Sequence, residues 1–231
     1  MPLASRTVLL ALAALMLLPG MGDTATIDER LEAYGDAARG RLAPWFHAAQ
    51  SSVSPAEIAL IGLKDAGELQ LYARDRAEDP WVWIRTWPIL ASSGGSGPKL
   101  REGDRQVPEG RYRITMLNPN SHFHLSLRVD YPNTYDRARG KDDDRTALGG
   151  DIMIHGNQVT IGCIPIGDEA IEELFVLAAD TGLDHIRVLL APTDFRLHPA
   201  YAPPSDAPIW TADLYAGLRT TLAAFPLPPE D

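Results

Sequence analysis

Short apolar runs separated by turn residues fill the middle of this 231-residue chain and constrain its fold more than any other feature. Residues 58–64 and 68–74 flank an Asp-Ala-Gly triplet at 65–67, a pattern typical of a β-hairpin. Residues 81–89 add a third run, whose tryptophans we interpret as packing residues of a sheet. Because consecutive strands joined by short turns pair antiparallel, the sequence predicts a mainly β domain with flanking helices, of the α+β class.

The second half of the chain continues with strand and helix patterns. Strands are predicted at residues 111–116, 122–129, 152–154 and 185–192, and amphipathic helices at 168–178 and 210–225. On the strand at 122–129, alternation places four polar side chains on one face: His122, His124, Ser126 and Arg128.

Two segments are harder to assign from their patterns. Residues 27–50 have helical spacing interrupted by Gly35, Gly40 and Pro44, which predicts two short helices rather than one. Residues 131–150 are rich in Asp, Arg, Asn, Pro and Gly. We interpret them as a long loop that forms a lid or a wall of a substrate cleft.

The first residues resemble a secretory signal peptide, with Arg6 before an apolar run at 8–18 and small residues after it. An uncleaved anchor is the alternative, although the run is about half of the roughly 20 residues that span a bilayer. Cuts after Gly22 and after Ala25 both fit. We therefore expect export to the periplasm and the following organisation: a signal peptide at 1–22, a helical segment at 23–54, a catalytic domain at 55–200, and a Pro-rich linker with a helix at 201–231.

Charge and ligand patterns exclude several classes of function. The formal net charge of −10 makes nucleic acid an improbable partner. The six histidines and one cysteine show no zinc-ligand spacing, and the aspartates at 142–144 lack the spacing of a calcium loop. The Gly-rich segment 92–99 lacks the Gly-Lys-Ser/Thr end of a phosphate-binding loop. We expect no metal and no small-molecule cofactor.

Cys163 is the only cysteine, so an exported form of this chain has no internal disulfide. The thiol then pairs with a partner, serves as a small buried apolar group, or is reactive. His155 stands eight positions earlier and could take the proton of the thiol, which is poorly ionised at neutral pH. Gly156 lets the chain turn after the histidine, and the amides of Gly162 and Cys163 could form an oxyanion pocket.

These residues belong to a longer set of motifs: Ile154-His155-Gly156, Thr160-Ile161-Gly162-Cys163-Ile164, Ser92-Ser93-Gly94-Gly95, Gly97-Pro98-Lys99, Gly103-Asp104, Pro108-Glu109-Gly110, Asn118-Pro119-Asn120-Ser121, Leu125-Ser126, Tyr131-Pro132-Asn133 and Tyr135-Asp136. Through these motifs, between about residues 60 and 190, the chain resembles the L,D-transpeptidase (YkuD-type) catalytic domain family, and more closely its YafK-like branch. Many members of the family have an arginine two positions after the cysteine, where this chain has Pro165.

The resemblance implies an L,D-transpeptidase-like β-sandwich or barrel, with Cys163 as nucleophile and His155 as general base. It implies attack on the diaminopimelate carbonyl of peptidoglycan stem peptides through a thioester, for cross-linking or protein attachment. Further site residues are Gly162, Thr160 and Gly156, with His124 near the cleft. Arg145, in the loop before the cysteine, could supply the charge that the missing arginine would carry.

Three alternative functions remain. A YafK-like hydrolase (amidase) would release a wall-linked lipoprotein from the same diaminopimelate, and a non-catalytic module would only bind peptidoglycan. A thiol oxidoreductase is disfavoured, because no second cysteine could resolve a mixed disulfide.

Overall fold

The computed structural model describes residues 24–229 and places a single eight-stranded sheet at the centre. Its strands are β1 (Glu57–Leu63), β2 (Glu68–Arg74), β3 (Val82–Pro88), β4 (Gly110–Ser121), β5 (His124–Val129), β6 (Met153–His155), β7 (Ile164–Pro165) and β8 (Ile186–Ala191). The helices are α1 (Ile27–Ala48), α2 (Thr134–Asp142), α3 (Asp168–Thr181) and α4 (Thr211–Leu222), with a 3₁₀ turn at Leu183–His185. The prediction of a mainly β, α+β fold with flanking helices is confirmed.

The strand order is β3-β2-β1-β8-β4-β5-β6-β7. Most neighbours pair antiparallel, as the hairpin patterns predict, whereas β1 with β8 and β6 with β7 pair parallel. Beyond β3, the amide of Leu90 donates to the carbonyl of Pro165 on β7 at 2.9 Å. The two ends of the sheet therefore approach each other, as in a partly closed barrel.

Apolar layers cover both faces of the sheet. On β1, Ile58 and Leu60 belong to the core beneath α1 and α3, while Ile61 and Leu63 belong to a second core closed by α4. A strand buried on both faces is apolar at nearly every position, which explains the continuous run in the sequence.

Helix α1 is continuous over 22 residues, so the prediction of two short helices is wrong. It begins with a capping box between Thr26 and Glu29 and packs along α3. There, Arg39 binds Asp180 at 2.8 Å and Arg41 binds Glu173 at 2.9 Å. We infer that burial of Leu42 and Phe46 in the core, together with these ion pairs, outweighs the local cost of two glycines and a proline in the helix.

The chain just before α1 is attached to the last residues of β4. The amide of Ala25 donates to Asn120 Oδ1 at 2.9 Å, and Asn120 Nδ2 donates to the carbonyl of Ala25 at 2.7 Å. Arg30 Nε donates to the carbonyl of Pro119 at 2.9 Å. The N-terminal helix is thus fastened to the hairpin that leads to Phe123.

Helix α2 lies within residues 131–150, which the sequence predicts as a loop. Asn133 caps it by accepting from the amides of Tyr135 and Asp136, and the Asp136 carboxylate accepts from the Asn133 amide in return. This capping box was readable in the sequence. The predicted signal peptide lies outside the described residues, and among residues 24–229 no helix combines the length and apolarity needed to cross a membrane.

Candidate functional site

The loop between β6 and β7 fixes the backbone of Cys163 through one hydroxyl group. Thr160 Oγ1 accepts hydrogen bonds from the amides of Cys163 at 2.8 Å and Gly162 at 3.2 Å, and donates to the Cys163 carbonyl at 2.8 Å. Gly162 has a φ of +126°, a conformation that residues with a Cβ rarely adopt. Residues 160–163 therefore form a tight turn that presents the thiol.

This turn bears directly on the predicted oxyanion pocket. The amides of Gly162 and Cys163 both point at Thr160 Oγ1. They can stabilise an oxyanion only when the Thr160 hydroxyl turns away or shares them. In the resting arrangement Thr160 organises the turn, and the oxyanion role of the two amides stays a prediction.

His155 is the last residue of β6. A contact with a backbone carbonyl shows which of its two ring nitrogens carries the hydrogen. Nδ1 lies 2.5 Å from the carbonyl of Gly156, and because a carbonyl only accepts, Nδ1 carries the hydrogen and Nε2 is the basic nitrogen. The ring of Phe123 stacks on the imidazole with centroids 4.7 Å apart. Burial lowers the pKa of His155, an effect partly opposed by the Gly156 carbonyl, so the imidazole is neutral near pH 7.

Gly156 is required where it stands. A Cβ at this position would lie 2.5 Å from Asp168 Oδ1 and 2.7 Å from the carbonyl oxygen of Phe123. The β4–β5 hairpin and the start of α3 both approach the backbone directly after His155. A side chain at position 156 would collide with them, which explains why glycine follows the histidine.

The thiol of Cys163 is protonated at rest. Burial raises its pKa, and the charge of Asp151 raises it further, while a backbone hydrogen bond from Met153 and the charge of Lys99 act in the opposite direction. Sγ lies 3.6 Å from the carbonyl oxygen of Asp151. Within residues 24–229, His155 Nε2 has no hydrogen-bond partner. Proton transfer therefore requires Sγ to turn from Asp151 toward His155.

Cys163 and His155 line one cavity of about 680 Å³, together with Asn118, Phe123 and Ser126. A second cavity of about 220 Å³, lined by residues 92–96 and Lys64, also reaches Cys163. Cys163 and His155 therefore line the same cavity, and open volume lies on more than one side of the thiol.

A row of four side chains crosses the sheet beside the thiol. Asn118 on β4 is in register with Ser126 on β5, Ser126 with His155 on β6, and His155 with Pro165 on β7. Residues in register on neighbouring strands project from the same face. Pro165, where many L,D-transpeptidases have arginine, thus neighbours the histidine and leaves that end of the row uncharged.

Comparisons with known proteins identify the family of the chain. The model of the L,D-transpeptidase catalytic domain (YkuD) matches residues 65–188. This chain belongs to the L,D-transpeptidase catalytic domain family. It is 34% identical over 116 residues to the "Putative L,D-transpeptidase YafK" of Escherichia coli K12, a match that covers 46% of this chain and 45% of that protein. The chain thus matches less than half of the length of this curated relative.

Solved structures of lower identity were also found. The helical cell shape determining protein Pgp2 of Campylobacter jejuni is 16% identical, with a TM-score of 0.49 over 72% of this chain and 69% of that one. L,D-transpeptidase 1 of Mycobacterium tuberculosis is 13% identical, with a TM-score of 0.33 over 58% of this chain and 62% of that one.

Two residues predicted for the site of this family member lie elsewhere in the structure. His124 Nε2 contacts Glu172 Oε1 at 3.0 Å, and its ring meets the edge of Tyr34, so the side chain joins the hairpin to α3 and α1. Arg145 donates to the carbonyl of Leu100 at 2.6 Å and lines a separate cavity. Neither side chain is brought to Cys163, whereas Thr160 and Gly162 adjoin it and Gly156 packs against Phe123 and Asp168 beside His155.

Two charged residues to which the sequence assigned no site role, Lys99 and Asp151, line the cavity instead. Lys99 Nζ binds Asp104 Oδ1 at 2.6 Å, and Asp151 Oδ1 binds Arg128 at 2.8 Å. Lys99 stood in a recognised Gly-Pro-Lys motif, but only the fold shows which face of the loop it occupies. Within the described part of the chain, no cluster of three His, Cys, Asp or Glu side chains could hold a metal ion.

Proposed function

We propose that this protein is an exported cysteine acyltransferase of the L,D-transpeptidase type. It acts on diaminopimelate-containing stem peptides of peptidoglycan through a thioester on Cys163. The observation that carries the proposal is the placement of Cys163 and a neutral, Nδ1-protonated His155 in one cavity of a chain that belongs to this family.

Acylation begins from a neutral thiol and a neutral imidazole. As Sγ attacks the diaminopimelate carbonyl carbon, its proton moves to His155 Nε2, and the carbonyl oxygen becomes an oxyanion. The tetrahedral intermediate collapses when the scissile C–N bond breaks, and the leaving amine takes the proton from Nε2. The products are a thioester and a free amine, with His155 neutral again.

Deacylation repeats these transfers with a new nucleophile. An amine attacks the thioester carbon, loses a proton to His155 Nε2, and Sγ leaves and recovers that proton as a thiol. A stem-peptide or protein amine yields a cross-link or an attached protein, whereas water yields hydrolysis. The YafK-like hydrolase is therefore an outcome of the same site, decided by the nucleophile that reaches the thioester.

The test is incubation of the purified protein with muropeptides, with and without attached lipoprotein, followed by mass spectrometry. Ligated products support the transferase, and released lipoprotein or trimmed stems support the hydrolase. Cys163→Ala should fold normally and abolish either product. If the wild type yields neither product and the Ala variant binds muropeptides equally well, the protein is a binding module instead.

We also propose that the protein reaches the periplasm. The support is the leader-like sequence at residues 1–22. A fusion of alkaline phosphatase to the C-terminus should be active in intact cells, and deletion of residues 2–22 should abolish that activity. Phosphatase activity that survives the deletion would refute the leader.

A further inference from the structure

Two buried polar atoms without partners share the cavity of Cys163. Eight buried side-chain nitrogen or oxygen atoms lack a hydrogen-bond partner within residues 24–229, and two of these, His155 Nε2 and Ser126 Oγ, belong to residues that line this cavity. Both residues are only 1% exposed. Buried polar groups are nearly always hydrogen-bonded, so such a pair calls for a functional explanation.

The sheet holds these two groups side by side. Ser126 on β5 is directly opposite His155 on β6 in the antiparallel register. Side chains in such a pair point to the same face, with Cβ atoms about 5 Å apart. Strand pairing rather than a flexible loop therefore fixes their separation.

The hydrogen-bonding capacities of His155 Nε2 and Ser126 Oγ suit a nucleophile that carries two hydrogens. Because Nδ1 carries the imidazole hydrogen, Nε2 can only accept, and the Ser126 hydroxyl can accept as well as donate. Water and primary amines each offer two hydrogens on one nucleophilic atom. One hydrogen can point at Nε2 and the other at Ser126 Oγ, which directs the lone pair of the nucleophile elsewhere.

Leaving the hydroxyl unpartnered costs stability. An unsatisfied buried hydroxyl typically destabilises a fold, and alanine would fill the same place on β5 without that cost. Thr193 is also buried without a partner among residues 24–229, so what distinguishes Ser126 is its position opposite His155 in the cavity that Cys163 lines.

We propose that Ser126 is a further catalytic residue, whose hydroxyl holds the deacylating nucleophile against His155 Nε2. The inference rests on the proposed thioester chemistry. A water or amine donates one hydrogen bond to Ser126 Oγ, its second proton passes to Nε2, and its oxygen or nitrogen forms the new bond to the thioester carbon. The C–S bond then breaks, and Sγ takes the proton from Nε2. Ser126 gains and loses no proton.

The experiment uses p-nitrophenyl acetate and the purified protein. Its leaving group departs as an anion and needs no proton from His155, so the burst of p-nitrophenol reports acylation of Cys163 alone. The steady-state rate then reports attack of water on the acetyl-enzyme. Ser126→Ala should leave the burst unchanged and slow the steady state on the order of a hundredfold, as loss of nucleophile alignment does. Intact-protein mass spectrometry should show the acetylated enzyme accumulating.

Controls separate this role from a structural one. Thr193→Val removes another buried hydroxyl that has no partner within residues 24–229, in a residue that lines a different cavity, and should change neither phase. Ser126→Thr keeps the hydroxyl and should restore part of the steady-state rate. Thermal melting should show that Ser126→Ala is at least as stable as the wild type.

The outcomes also distinguish this inference from the proposed function. A Ser126→Ala variant with the wild-type steady-state rate, or with both phases slowed equally, overturns the role of Ser126 and leaves the thioester intact. A wild type that releases p-nitrophenol no faster than Cys163→Ala, or that deacylates no faster than an acetylated small thiol in buffer, overturns the proposed chemistry and the role of Ser126 with it.

Discussion

Replacing Phe123 with alanine should raise the pKa of His155. The ring stacks on the imidazole at 4.7 Å, and burial is the main cause of the lowered pKa of that histidine. Without the ring, water reaches the imidazole and favours its charged form, so the pKa should move up toward the ordinary value of about 6.5. A pH titration of the His155 Cε1–H resonance by NMR measures the shift.

The cost in stability can be worked out from exposure. Phe123 is 37% exposed, so about two-thirds of the 3–5 kcal/mol typical for removing a buried phenylalanine applies, roughly 2–3 kcal/mol. Met116 on β4 of the same hairpin is equally exposed at 37% and does not line the cavity. Met116→Ala should lose about 1–3 kcal/mol by the same reasoning and leave the pKa of His155 unchanged.

The same substitution should alter how stability depends on pH. Burial holds the pKa of His155 below that of the unfolded chain, so between the two values only the unfolded state binds the proton. The resulting contribution to the free energy of unfolding is fully present above about pH 6.5. It is lost as the pH falls toward the folded-state pKa, by at most about 1.4 kcal/mol per pH unit. Urea unfolding of Phe123→Ala should show a smaller loss. An unchanged His155 pKa in this variant, or an equal rise in Met116→Ala, would refute the role of the ring.

Three further substitutions test the surroundings of the site. Thr160→Val should lower stability by about 1–3 kcal/mol in urea unfolding and broaden the amide resonance of Cys163, because two amides lose their acceptor; Thr160→Ser should behave as the wild type. Glu173→Gln should cost about 3–5 kcal/mol in the same assay, because it leaves the partly buried Arg85 without its carboxylate at 2.5 Å; a loss below 1 kcal/mol would contradict this reading. His155→Ala should slow alkylation of Cys163 by iodoacetamide near neutral pH, and an unchanged rate would mean that the histidine does not activate the thiol.

Local patterns predicted every strand except β7 and singled out the two central residues of the candidate site. The hairpin of β1 and β2 follows from two apolar runs around a turn, and the pairing of His155 with Cys163 follows from their motifs. Helix α1 was misread because glycine and proline act locally, whereas its ion pairs to α3 involve residues far along the chain. Helix α2 was missed because the Asp, Asn, Pro and Gly content of residues 131–150 was given more weight than the Asn133 and Asp136 capping pair.

The rest of the site depends on register, which a single sequence does not display. The alternation of β5 places Ser126 on a polar face, but only the pairing of β5 with β6 shows that this face meets His155. The same alternation suggested His124 as a cleft residue, and Glu172 on α3 holds that ring instead. For Thr160, the sequence suggested a site residue without showing that its hydroxyl accepts from the amides of the turn.

The attachment of Ala25 to Asn120 gives the choice of cleavage site a structural meaning. A leader cut after Gly22 would keep Ala25 in the mature chain, and the turn before Phe123 would stay fastened to it. A cut after Ala25 would remove both backbone groups that Asn120 binds and place a positive ammonium group on Thr26, at the helix end that disfavours positive charge, with Glu29 as its near partner. The two candidate cuts therefore differ in whether Asn120, three positions before the phenylalanine that stacks on His155, keeps its two backbone partners.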